Sequence, residues 1–234
     1  MEYKKTLYLK NLVFTKNDFV KLSKILFDKK IKDGGFVSIK IYFEDDSQIS
    51  DDNIEIFNCD YIFERSANSI KLNYRDSEYK KTIDIDIRDS RYLDSSITIE
   101  SSNQEWFLSV YKLFEEKINN IKKQNFIGKV FSNSFATSFI SMTLTIFIVL
   151  MFKYFKIVDY TKISTLYIFI TIFLIMMVTT MTLVKIGELF PNIEFELDDN
   201  KPSKRKKIKK TLKWIISLTV AQILIPIILN IFFM

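Results

Sequence analysis

Three long apolar stretches in the last 104 residues constrain this 234-residue chain more than any other feature. They run about 132–152, 163–184 and 214–234, and none contains Asp, Glu, Lys, Arg or His. At about 1.5 Å per residue each would reach roughly 32 Å as a helix, and a bilayer's hydrocarbon core is about 30 Å thick. A buried core helix accounts for one such stretch, but not for three separated by charged loops. The pattern predicts an all-α membrane domain of three transmembrane helices over 129–234, with a basic loop at 185–213. Residues 1–128 would form a separate soluble domain.

Cation placement sets the expected orientation. Lys117, Lys122, Lys123 and Lys129 precede the first stretch, and nine Lys/Arg lie between the second and third. Only Lys153, Lys156 and Lys162 separate the first from the second. The thirteen cations on the first and third flanks outweigh these three, so the N-terminal domain and the 185–213 loop are expected in the cytoplasm of a bacterial inner membrane. The C-terminus would lie outside. Lys204, Arg205, Lys206, Lys207, Lys209 and Lys210 form a basic surface suited to anionic lipid headgroups, at about 1 kcal/mol per cation near the surface. Binding of a specific acidic ligand or a nucleic acid is the alternative use of this run.

Polar residues recur at helical spacing inside the stretches. Ser134, Ser138, Ser141 and Thr145 follow steps of four, three and four, and Thr219, Gln222, Pro226 and Asn230 follow three, four and four. Each set lies on one helix face. Such faces either pack helix against helix through small and hydroxylated residues or line a hydrated pore. Three helices cannot enclose an aqueous channel, so pore lining requires a homo-oligomer.

The first 130 residues hold 22 cations and 22 carboxylates, so the excess of +6 belongs to the rest of the chain. This removes the usual step from a high pI to nucleic-acid binding by the N-terminal domain. Alternation predicts strands over 3–14, 36–44, 69–75, 81–88 and 95–101, with a further short one near 54–57. Thr15 with Asp18 marks the start of a helix over 16–29, and Ser102 with Glu105 that of a second helix over 103–124. The domain is expected to be α+β, a mostly antiparallel sheet with two helices. After the second apolar stretch, Ile193, Phe195 and Leu197 alternate with Glu194 and Glu196. That short strand is expected to join an edge of the soluble sheet and couple the two halves.

Signals for catalysis are sparse. The chain has no histidine, and Cys59 is its only cysteine. This excludes intramolecular disulfides, Cys/His zinc sites and His-activated nucleophiles. Asp84 and Asp86 share a strand face, where a metal is one reading and ion pairs with Lys71 and Arg75 the other. The run EDDSQISDD lacks the Gly and Glu that a calcium loop needs at its sixth and twelfth positions. A non-enzymatic protein with no metal and no cofactor is expected.

The stretch SSNQEWFLSVYKLFEEKINNIKKQ, the apolar segments after it, and LFPNIEFELDDN followed by a basic run resemble, in layout, membrane effectors of bacterial anti-phage systems. The channel-forming effector of Hailong-type defence is the most similar. The resemblance implies a tetrameric ion channel held closed by an oligonucleotide signal, made by a partner nucleotidyltransferase, whose opening depolarises the membrane during abortive infection. The residues themselves leave a non-conducting anchor that recruits a cytosolic partner as the alternative.

Overall fold

The computed structural model describes residues 2–59, 65, 67–90, 93–154, 165–197, 208 and 211. The chain divides into two compact units, Met1–Leu197 and Asp198–Met234, and every element named below belongs to the first. Its strands are β1 (Tyr3–Leu9), β2 (Leu12–Thr15), β3 (Phe36–Phe43), β4 (Gln48–Asp51), β5 (Ala67–Arg75), β6 (Lys81–Arg88), β7 (Ser95–Ser101) and β8 (Ile193–Glu196). The helices are α1 (Lys16–Asp33), α2 (Gln104–Asn119), α3 (Phe126–Ser132), α4 (Ser134–Tyr154) and α5 (Thr165–Glu188).

Six strands form one antiparallel sheet in the order β1-β7-β6-β5-β3-β4. Period-two patterning puts one set of side chains on a single face. Ile39, Ile41, Ile70, Leu72, Ile83 and Ile97 are all fully buried there, beneath α1 and α2. The domain is α+β with an antiparallel sheet.

Helix α1 begins with a capping box. The Asp18 amide donates to Thr15 Oγ1 at 3.3 Å, and the Thr15 amide donates to Asp18 Oδ2 at 2.9 Å. Together they satisfy two of the donors that every helix start leaves open. The chain leaves α1 through Gly34 and Gly35. Gly35 has φ +98°, and a Cβ there would sit 2.1 Å from the Arg75 carbonyl oxygen, so only glycine fits. Asp33 pins three elements together at this corner. It accepts from Lys81 Nζ at 2.7 Å and from Trp106 Nε1 at 2.8 Å, joining the end of α1 to the starts of β6 and α2. The cap of α2 is Asn103, which accepts from the Trp106 amide at 2.9 Å, and not Ser102.

Several boundaries depart from the sequence pattern. Asn11, at φ +58°, breaks the expected 3–14 strand into β1 and β2. Residues Ile54–Asn58 form a 3-10 turn rather than a strand. The acidic run EDDSQISDD, to which the sequence pattern assigns no strand, contains β4, paired with β3.

The expected membrane domain requires a larger correction. Among the described residues, no helix is long and apolar enough to cross a membrane. Thr137, Ser138, Ser141, Thr143 and Thr145 interrupt the apolar run in α4, and Lys185 and Glu188 end α5 with charge. The expectation of three transmembrane helices, and with it the expectation of a membrane protein and ion channel, is therefore overturned. The stretch at 214–234 lies outside the described residues.

Candidate functional site

Two features converge on β2, the short strand between β1 and α1. The first is a clasp. β8 pairs with β2 in parallel, with Leu12 opposite Ile193, Phe14 opposite Phe195 and Thr15 opposite Glu196. This is a separate two-stranded sheet and not an extension of the six-stranded one. Ile193 is buried in the main core, and Phe195 and Leu197 pack against it. The Phe195 ring meets Phe19 edge-on at 5.3 Å, and Phe19 also contacts Phe14 at 5.3 Å and Phe57 at 6.1 Å. Coupling strand and α1 thus share one aromatic cluster.

Asn11 organises the polar side of the clasp. Its left-handed backbone lets its amide donate to the Asn192 carbonyl at 2.7 Å, while its own carbonyl accepts from the Gln124 amide at 2.9 Å. Gln124 Nε2 donates to the Pro191 carbonyl at 2.7 Å, and Ser132 Oγ donates to Asn11 Oδ1 at 3.2 Å. Lys122 pairs with Glu196 at 3.1 Å. Residues before α4 and after α5 are therefore fastened to the same short segment, Asn11 to Val13, where Val13 donates to the Lys122 carbonyl and Asn11 and Leu12 to that of Asn192.

Between these fastenings, α4 and α5 pack through hydroxyl groups. Ser141 Oγ lies 2.8 Å from Thr180 Oγ1, and Thr145 Oγ1 lies 3.1 Å from Thr179 Oγ1. Ser141 and Thr145 are buried in this interface with Thr137, whereas Ser138 is exposed. The interface follows the 137–141–145 row, so the expected stripe is divided. Ser134 starts α4, with its side chain outside the described set. On the outer faces Phe135, Phe139, Phe173, Leu174, Val178 and Met181 are exposed. Thr219, Gln222 and Asn230 lie outside the described residues, as do Lys204, Arg205, Lys206, Lys207, Lys209 and Lys210.

The second feature is the sheet face opposite α1 and α2, which no described element covers. Its central row reads Thr6, Thr98, Asp84, Asn73, Ser38 across five strands. Beside it run Tyr8, Ser96, Asp86, Lys71 and Lys40, with Tyr42 and Arg75 further along β3 and β5. Asp86 bridges Lys71 at 3.6 Å and Arg88 at 2.5 Å, and Lys4 bridges Glu100. Lys71 also lies over the Tyr42 ring. Burial raises the Asp84 carboxyl above its ordinary range, against the charge of Arg75. Asp84 and Asp86 thus occupy different environments, one half-buried and the other in ion pairs. Among the described residues no group of three or more carboxylate or Cys side chains could hold a metal. Cys59 is exposed.

Sequence reasoning missed Asn11, Gln124, Thr179 and Thr180. The adjacent threonines in MMVTTMT were the available signal for the helix pairing. Nothing local in the sequence marks Asn11 or Gln124, whose partners lie far away in the chain. No family model matches this chain, and no curated protein and no solved structure matches it either.

Proposed function

We propose that this chain is a non-enzymatic signal relay, in which the α+β domain receives a ligand on its open sheet face and the β2–β8 clasp passes the response to the α4–α5 hairpin. The observation that carries this reading is the convergence of both hairpin ends on Asn11 and β2. A shift of β2 or α1 moves β8 directly, because Phe195 and Phe19 share one cluster. Coupling of this kind needs a contiguous element that both sites bias, and the clasp is such an element.

The proposed ligand is a nucleotide or short oligonucleotide. An open sheet offers bases a stacking platform where aromatic side chains are interleaved with cations. Tyr8 and Tyr42 would supply the rings, and Lys40, Lys71 and Arg75 the phosphate contacts. The carboxylates of β6 in the same face would limit affinity and make it steeply salt-dependent. Fluorescence anisotropy with a panel of short oligodeoxynucleotides tests this. Binding that weakens with salt and is lost in Lys40→Glu/Arg75→Glu is expected. Binding that is absent at low salt, or is indifferent to that double variant, would refute the ligand assignment.

A further inference from the structure

We infer that the two edges of the six-stranded sheet are complementary and pair between copies of this chain, β1 of one copy against β4 of the next. This goes beyond the relay reading and does not depend on it.

Sheet order makes β1 and β4 the edge strands, and all neighbours are antiparallel. With six alternating strands, the two edges run in opposite directions. A second copy placed alongside in the same orientation therefore presents its β1 antiparallel to β4 of the first. Both helix-covered faces then stay on one side. Among the described residues, the outer edge of β1 has no backbone hydrogen-bond partner, which is the ordinary condition for strand addition.

Charge then selects the partner and the register. β1 and its flanks carry Lys4, Lys5 and Lys10 against the single carboxylate of Glu2, while β4 and its flanks carry Asp46, Asp51 and Asp52 and no cation. Leu7 and Ile49 both point to the helix-covered face, since Leu7 pairs with Ile97 and Ile49 with Ile41. Setting Leu7 opposite Ile49 continues the apolar layer across the junction. The same register puts Lys5 opposite Asp51, with Tyr8 facing Gln48 and Thr6 facing Ser50, and brings Lys4 beside Asp52 just past the end of β4 and Lys10 toward the β3–β4 turn that carries Asp46. A slip of one residue turns Leu7 to the wrong face. A slip of two in either direction removes the Lys5–Asp51 pair, since Lys5 then faces Ile49 or Asn53. Pairing β1 with β1 would gather lysines, and β4 with β4 would gather aspartates, and like charges directly opposite are unfavourable. Lys4 keeps its bridge to Glu100 within its own copy, and Asp51 Oδ1 still accepts the Asp52 and Asn53 amides. The contact is heterologous, so it propagates from copy to copy rather than closing as a dimer.

The test reads edge adjacency directly, because the exposed side chains of α4 and α5 could hold copies together by themselves. In a full-length Cys59→Ser background, a Tyr8→Cys version and a Gln48→Cys version are mixed and treated with a short thiol–thiol cross-linker. Cross-linked pairs are expected from the mixture and not from either version alone. Adding Lys5→Glu to the first or Asp51→Lys to the second should abolish the product, and combining both should restore it. A parallel set with Lys4→Glu and Asp52→Lys spares the Asp51 turn. Circular dichroism checks that each variant is folded. Absence of the 8–48 product, or failure of the reciprocal swaps to restore it in folded proteins, would overturn the proposal.

Discussion

At the scale of single residues, two carboxylates of the same domain respond to their surroundings with opposite sign. Burial pushes Asp33 up, but hydrogen bonds from Lys81 and Trp106 and the Lys81 charge outweigh it and hold the group below its ordinary value. A depressed folded-state pKa stabilises above the unfolded pKa, and that stability is lost as pH falls through the folded value. Asp33→Asn should therefore destabilise the protein at neutral pH, and the difference from wild type should vanish in strong acid. Thermal melts across pH check this. Asp84 is raised by burial, so its contribution is favourable only below the unfolded pKa and is lost as pH rises through the folded value. Asp84→Asn should consequently raise the neutral-pH melting temperature, with the gain shrinking below about pH 4. A variant less stable than wild type at neutral pH would show that the carboxylate makes a net favourable contact. Phe19, fully buried and touching three other phenylalanines, is the costliest of these side chains to truncate. Phe19→Ala should cost about 3–5 kcal/mol in denaturant unfolding.

At the scale of elements, local patterning reveals most of the sheet and little of the clasp. The strands at 69–75, 81–88 and 95–101 were legible because alternation continues along each and one face is buried. Thr15 and Asp18 announced α1 because both halves of a capping box lie within four residues. Asn11 was not legible, since its left-handed backbone is imposed by Asn192 and Gln124, which are remote in sequence. β4 was hidden because its solvent-facing edge leaves only Ile49 as an apolar signal. The alternation in 193–197 did indicate a strand. Its partner could not be read, because the alternation over 3–14 merges β1 and β2, which the turn at Asn11 sends to different sheets. The hydroxyl row of α4 pointed to a shared face, but its centre lies at Thr137, Ser141 and Thr145 because α5 crosses there. Hydroxyl pairs of this kind contribute only about 1 kcal/mol each, so Ser141→Ala/Thr179→Ala should loosen the hairpin without unfolding the domain. Selective loss of amide protection in α4 and α5 is the expected readout.

At the scale of the whole molecule, a strand that follows the hairpin is built into the domain that precedes it. Such an arrangement forbids the two parts to move independently without breaking the β2–β8 ladder. Composition alone pointed elsewhere, because counting apolar residues along the sequence does not show that the hydroxyl groups of α4 and α5 pair with one another. The α+β domain was legible and the three-span domain was not sustained. The proposed relay consists of the open sheet face, the β2–β8 clasp and the α4–α5 hairpin on one chain. Its most direct test is hydrogen exchange on the wild type and Phe195→Ala, with and without a bound oligodeoxynucleotide. The account predicts that ligand changes exchange in the open sheet face, in 193–196 and in α5 of the wild type. In Phe195→Ala the change should remain in the sheet and disappear from α5. An equal response of α5 in both proteins, or a wild-type response confined to the sheet, would contradict the relay.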